Sequence, residues 1–102
     1  MIIAVASQDG NVSPRFGDTP EFTLYETRGG ELLGPRVIST RRIGRGSLTG
    51  ILDAVGAELL ICGEISGREQ RELEEIGVAV AVGVSGGVDA AVKKHFAEKG
   101  RG

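Results

Sequence analysis

The sequence predicts an α/β protein built on a mixed five-stranded sheet, with three hairpin-linked strands followed by alternating helices and strands in the order βββαβαβα. Three observations carry this. Short apolar runs broken by Gly and Pro, with no helical period, fill the first forty residues. From Leu48 onward, apolar residues at helical spacing alternate with the branched runs Glu58–Cys62 and Val78–Val82. Strands reached through helical crossovers run parallel and hairpin-joined strands antiparallel, so this order gives a mixed sheet with helices on at least one face.

Ile2–Ala6 is continuously apolar and branched, as a buried central strand requires. Residues 7–19 read as a polar loop carrying Gly10, Pro14 and Gly17, with Phe16 alone in it. Phe22–Tyr25, extending to about Thr27, is the second strand, and Arg28-Gly29-Gly30 makes a hairpin turn into a third strand at about Glu31–Ser39. Pro35 has no N–H for a ladder, so that strand belongs at an edge or carries a bulge. Leu48, Ile51, Leu52 and Val55 then line one face of a short helix, with Ser47 as cap and Gly56 as stop. Ser66 and Glu69 match a capping box that starts a second helix ending at Gly77. Val88, Ala91, Val92, His95 and Phe96 mark the inner side of a last helix, whose tail should fray. This is the element order of the ribonuclease H-like architecture.

At 102 residues the chain is expected to form one domain, 1–102. With 40% apolar residues, no Trp and 4% aromatics, its core must be built from Val, Ile, Leu and Ala. No apolar run approaches the ~20 residues of a membrane span, and the first residues lack the basic segment of a signal peptide. A single Cys fits a reducing cytoplasm and excludes an internal disulfide. The formal net charge of −2 argues against general nucleic-acid binding.

Charge is distributed unevenly. All six cations of residues 1–51 are Arg, and four of them, Arg36, Arg41, Arg42 and Arg45, fall within ten residues. Arg presents a rigid fork of donors suited to anions with several acceptors. A solvated loop or strand edge explains the same run.

The stretch Gly83–Val92, GVSGGVDAAV, nearly matches the SGGxDS loop of ATP pyrophosphatases, in which amides and a helix dipole hold phosphate. The match breaks at Ala90, where that motif has Ser, and it comes too late in the chain to leave a nucleotide-binding domain downstream. A two-metal nuclease needs clustered carboxylates, and only Asp9 and Glu58 lie near the buried strands. One Cys and one His cannot furnish a tetrahedral zinc site. His95 beside Phe96 reads as a helix-packing residue. Cys62 ends a strand at the carboxyl edge of the sheet, where α/β folds place ligands. It reads equally as a small buried hydrophobe and as a ligand-facing thiol. No nucleophile with a base, and no acid–base pair, can be assembled, so the chain is not expected to be an enzyme. The turns at 44–47, 63–67 and 83–87 precede helices and are expected to gather helix N-termini that attract anions.

Nearly the whole length resembles the dinitrogenase iron–molybdenum cofactor biosynthesis family, the NifX-like and NifB C-terminal domains. The resemblance rests on MIIAVAS at the start, VSPRFGDTPEFTLYE at 12–26, GELL at 30–33, AELLICGEISGREQRELEEIGVAV from Ala57 onward, and GVSGGVDAAVKKHF at 83–96. The spacing of Val12, Ser13, Phe16, Gly17, Pro20 and Phe22 is its most specific element. The family fold is ribonuclease H-like. Members bind or carry iron–molybdenum cofactor, its iron–sulfur precursor or related clusters. Where members often have His before the Phe-Gly pair this chain has Arg15, and its segment 41–47 has no His. Both departures favour electrostatic cradling over tight coordination.

The resemblance implies a non-enzymatic carrier for an iron–molybdenum or other metal–sulfur cluster, working with a nitrogenase-type or cluster-assembly protein. Arg15, Phe16, Gly17, Gly63, Ser85, Gly86 and Gly87 are expected at the site, with Arg42 and Arg45 closing over it. Cys62 is the one candidate metal ligand, since iron–sulfur chemistry prefers thiolate. The alternative is a protein-interaction module that holds no cluster, docking through the third-strand edge or the acidic helix surface of Glu72, Glu74 and Glu75.

Overall fold

The computed structural model describes residues 1–41 and 48–99, with side chains described as far as Phe96. Its strands are β1 (Ile2–Gln8), β2 (Asn11–Val12), β3 (Glu21–Arg28), β4 (Glu31–Ser39), β5 (Ala57–Ile61) and β6 (Ala79–Ala81). Its helices are α1 (Leu48–Ala54), α2 (Gly67–Glu75) and α3 (Val88–Lys99), with a 3-10 turn at Phe16–Asp18. They form a mixed six-stranded sheet of order β4-β3-β1-β5-β6, with β2 paired to the end of β1. β1 is antiparallel to β2 and β3 and parallel to β5, and β5 is parallel to β6.

The sixth strand corrects the expected count of five. Residues 9 and 10, an Asp-Gly pair, both have positive φ (51° and 83°), the conformation of a tight two-residue hairpin. The chain therefore folds back on β1 at once, pairing Ser7 with Val12 and Gln8 with Asn11. The expected hairpin at Gly29-Gly30 forms in the same way, with φ of 57° and 84°. Pro35 lies on the edge strand and also at a bulge, because the β3–β4 register slips opposite Tyr25.

Strand alternation sorts the core into two layers. Ala4, Ala6, Phe22, Leu24, Leu60 and Cys62 face Ile51 and Leu52 of α1 and Leu73 of α2. Ile3, Val5, Tyr25, Leu59 and Ile61 face Val88 and Val92 of α3. Helices thus cover both faces, which is why β1 and β5 read as continuous apolar runs. α2 starts as its capping box predicts: Ser66 Oγ accepts from the Glu69 amide at 3.1 Å, and Gly77 follows the helix with φ of 89°. Tyr25 ties β3 to α3 by donating from its hydroxyl to Asp89 Oδ1 at 3.4 Å. No helix among the described residues is long and apolar enough to cross a membrane.

Candidate functional site

β1, β5 and β6 end at one edge of the sheet, and the loops leaving them are stitched together by backbone hydrogen bonds. The Phe16 amide donates to Glu64 O and the Glu64 amide to Pro14 O, both at 2.8 Å, so Arg15 and Glu64 form a single parallel bridge that ties residues 14–16 to 63–65. The Gly83 and Val84 amides donate to Gly63 O and Cys62 O at 2.9 and 3.0 Å. The Val12 amide donates to Gly86 O at 2.8 Å and the Val88 amide to Gly10 O at 2.9 Å. Gly63 is required by this closeness: a Cβ there would lie 2.6 Å from Pro14 O and 2.8 Å from Ser13 O.

The three loops surround a cleft of about 560 Å³, whose lining includes the apolar Pro14, Ile65, Val82 and Val84, the polar Glu64 and Gln70, and Gly63 and Ser85. Beside it, Arg15 and Gly17 border a depression of about 400 Å³ that also holds Asp18, Glu64, Ser66 and Glu69. Among the described residues three carboxylates and one guanidinium line it, so these residues offer an anion far less than Arg15 alone promised.

The structure brings Arg15, Gly17, Gly63, Ser85, Gly86 and Gly87 to this one edge. The turns at 63–67 and 83–87 share it as expected; Arg42, Arg45 and the whole 44–47 turn lie outside the described residues. Arg36 and Arg41 are exposed, as solvated edge residues would be.

Two expected site residues belong instead to the core. Phe16 is fully buried, its ring 6.1 Å from that of Phe22 in a tilted contact, because the 3-10 turn rolls it beneath the rim. Cys62 is also fully buried, one residue past β5 and packed in the α1–α2 layer. Burial, with a smaller contribution from Glu69, pushes its thiol up to about 11. As placed, Cys62 is a small protonated hydrophobe and presents no thiolate to the cleft. Among the described residues, no group of three His, Cys, Asp or Glu is placed to hold a metal ion.

Sequence reasoning placed Val84 only within the 83–87 turn and passed over Val82 as a lining residue. Val82 is half exposed at 50%, an uncovered apolar side chain immediately beyond β6. An apolar residue next to Gly83 was the available signal, but a strand end carries no period to say which way it faces.

The Cys62 environment has two consequences for measurement. An aromatic disulfide reagent at pH 8 should leave the native thiol unmodified and titrate one thiol on unfolding. Burial favours the protonated thiol, so its contribution to stability is complete below the ordinary value of 9.0 and is lost as pH rises toward about 11. Tyr25, raised above 10.0 by burial and then by Asp89, acts in the same direction at higher pH. Stability should fall above about pH 9 in urea titrations, and Cys62→Ala should flatten the first part of that fall.

The model of the dinitrogenase iron-molybdenum cofactor family matches residues 1–98. The chain belongs to that family. Among solved structures, that of PH0822 superposes with a TM-score of 0.87 at 23% identity, covering 96% of this chain and 90% of the other. The apo form of the orange protein from Desulfovibrio gigas gives 0.80 at 22% identity, covering 95% and 88%. A candidate dinitrogenase from Methanocaldococcus jannaschii gives 0.75 at 17% identity, covering 96% and 89%. These likenesses establish a shared fold. No curated protein sequence matches the chain.

Proposed function

We propose that this chain is a non-enzymatic, cytoplasmic carrier for an iron–molybdenum or related metal–sulfur cluster, loaded and unloaded by a nitrogenase-type or cluster-assembly protein. The observation that carries the reading is the stitched three-loop cleft at the carboxyl edge of β1, β5 and β6, on a chain of the iron–molybdenum cofactor family. Counting only the five longer strands, the sheet order is 3-2-1-4-5, which supports the ribonuclease H-like assignment within this proposal.

The donor set decides how such a cargo is held. A buried protonated thiol and the absence of a ligating cluster among the described residues do not suit metal–side-chain bonds. Apolar walls and backbone donors suit a preassembled cluster gripped through its sulfides and outer ligands, with Arg15 at the border. The interaction-module alternative would use the edge of β4, where Val37 is 55% exposed, or the exposed α2 surface of Glu72, Glu74 and Glu75, a solvated acidic face. The bulge and Pro35 blunt that edge against strand addition, so the carrier is preferred.

Anaerobic mixing with isolated cluster, followed by gel filtration, tests the proposal. The cluster's visible absorption should co-elute with the protein, persist in Cys62→Ala, and weaken severalfold in Arg15→Ala or at raised salt. Failure to co-elute with the unaltered protein would reject the carrier role, and loss in Cys62→Ala alone would reject the non-coordinating mode.

A further inference from the structure

A second cavity, of about 490 Å³, lies on the other side of the Gly83–Gly87 turn, between that turn and α3. It differs in charge from the depression at Arg15. Lys94 and His95 line it, and among the described side chains no Asp or Glu does, although the chain carries more acids than bases. The residues that α3 contributes fall at positions 90, 91, 94 and 95, one stripe of a helix. Ala90 and Ala91 in the middle of that stripe leave the space open. Helical side chains lean toward the N-terminus, so Lys94 and His95 reach back over the two alanines toward the turn.

Neighbouring charges are otherwise engaged. Lys93 pairs with Asp89 at 2.9 Å, and Asp89 also accepts from Tyr25. Lys94 forms no ion pair with a described residue. At the opposite end of the cavity the amides of Ser85, Gly86 and Gly87 make no hydrogen bond among the described residues, whereas the flanking Val84 and Val88 amides do. Ile61 and Val84 supply an apolar floor. A cationic side chain, an imidazole and a turn with three uncommitted amides thus line one space that no described carboxylate lines.

We infer that this cavity is a binding site for a tetrahedral oxyanion, either free or as the phosphoryl group of a small organic molecule, with Lys94 as its principal charge and the 85–87 turn as its donor rim. It does not rest on the cluster reading: Gly83, Val84 and Ser85 line both spaces, but Lys94, His95, Ala90 and Ala91 line only this one, and its ligand is a different chemical species.

Amide chemical shifts measured on the whole protein, titrated separately with inorganic phosphate and with phenyl phosphate, test it. Saturable shifts of Ser85, Gly86, Gly87, Ala90 and Ala91 are expected. Tighter binding of phenyl phosphate would assign the site to a phosphomonoester resting on Ile61 and Val84; equal affinity would assign it to the free oxyanion. Lys94→Ala should weaken binding about tenfold. Ala90→Leu, which fills the cavity from an exposed helix position, should abolish it, and Arg15→Ala should leave it unchanged. Absence of saturable shifts with both probes, or unchanged affinity in Lys94→Ala and Ala90→Leu, would overturn the assignment. Cluster co-elution is scored in a separate experiment, so either reading can fail alone.

Discussion

Gly63→Ala should destabilise the protein by about 2–4 kcal/mol, from overpacking and the loss of one or two backbone hydrogen bonds. The added methyl would meet Pro14 O at 2.6 Å and Ser13 O at 2.8 Å, and both are main-chain atoms that cannot swing aside. Relief requires the 13–16 segment to move outward, which breaks the paired bonds between Pro14, Phe16 and Glu64. Because those bonds hold the rim, the cleft should lose its shape along with its stability. Gly17→Ala is the control: a Cβ there meets nothing within 4 Å, and the change should stay within about 0.5 kcal/mol. Urea unfolding of the two variants decides the matter, and equal midpoints would mean that the close approach at Gly63 costs nothing.

Phe16→Ala should cost more, about 3–5 kcal/mol, as expected for removing a fully buried aromatic ring. Against a typical total of 5–15 kcal/mol for a natural domain, that leaves a marginal fold. The ring packs on Phe22 in the layer shared with α1 and α2, and its removal opens a void directly beneath the rim. Phe16→Leu keeps most of the volume and should cost about 1.5 kcal/mol or less. It also separates packing from recognition. If Phe16 supports the rim from below, the leucine variant should bind a cluster as the unaltered protein does. A leucine variant that is stable but fails to bind would return Phe16 to the ligand surface.

The elements were legible wherever a period or a cap wrote them. Ser66 and Glu69 announced α2, and the spacing of Leu48, Ile51 and Leu52 announced α1. β5 and β6 fell within a residue or so of their expected limits. The Asp9-Gly10 pair was an equally plain hairpin signal, but its second strand, Asn11–Val12, is too short to display alternation and reads as loop. The site was less legible for a related reason. Backbone amides and carbonyls stitch its loops together, and every residue type except Pro carries both, so no spacing encodes the stitching. Phe16 and Cys62 sit where regular structure has stopped, and nothing local in the sequence says whether such a side chain turns inward. Both turned inward because the layer under α1 and α2 had volume for them.

The turn from Gly83 to Gly87 is a wall shared by two rooms. Gly83, Val84 and Ser85 line the cleft beside the Pro14 segment and the cavity beside α3 alike. A backbone N–H has one hydrogen to give, so the Ser85 amide cannot serve an occupant on each side at once. Cargo on one side and an oxyanion on the other would compete for the same donor, and filling one room would help to empty its neighbour.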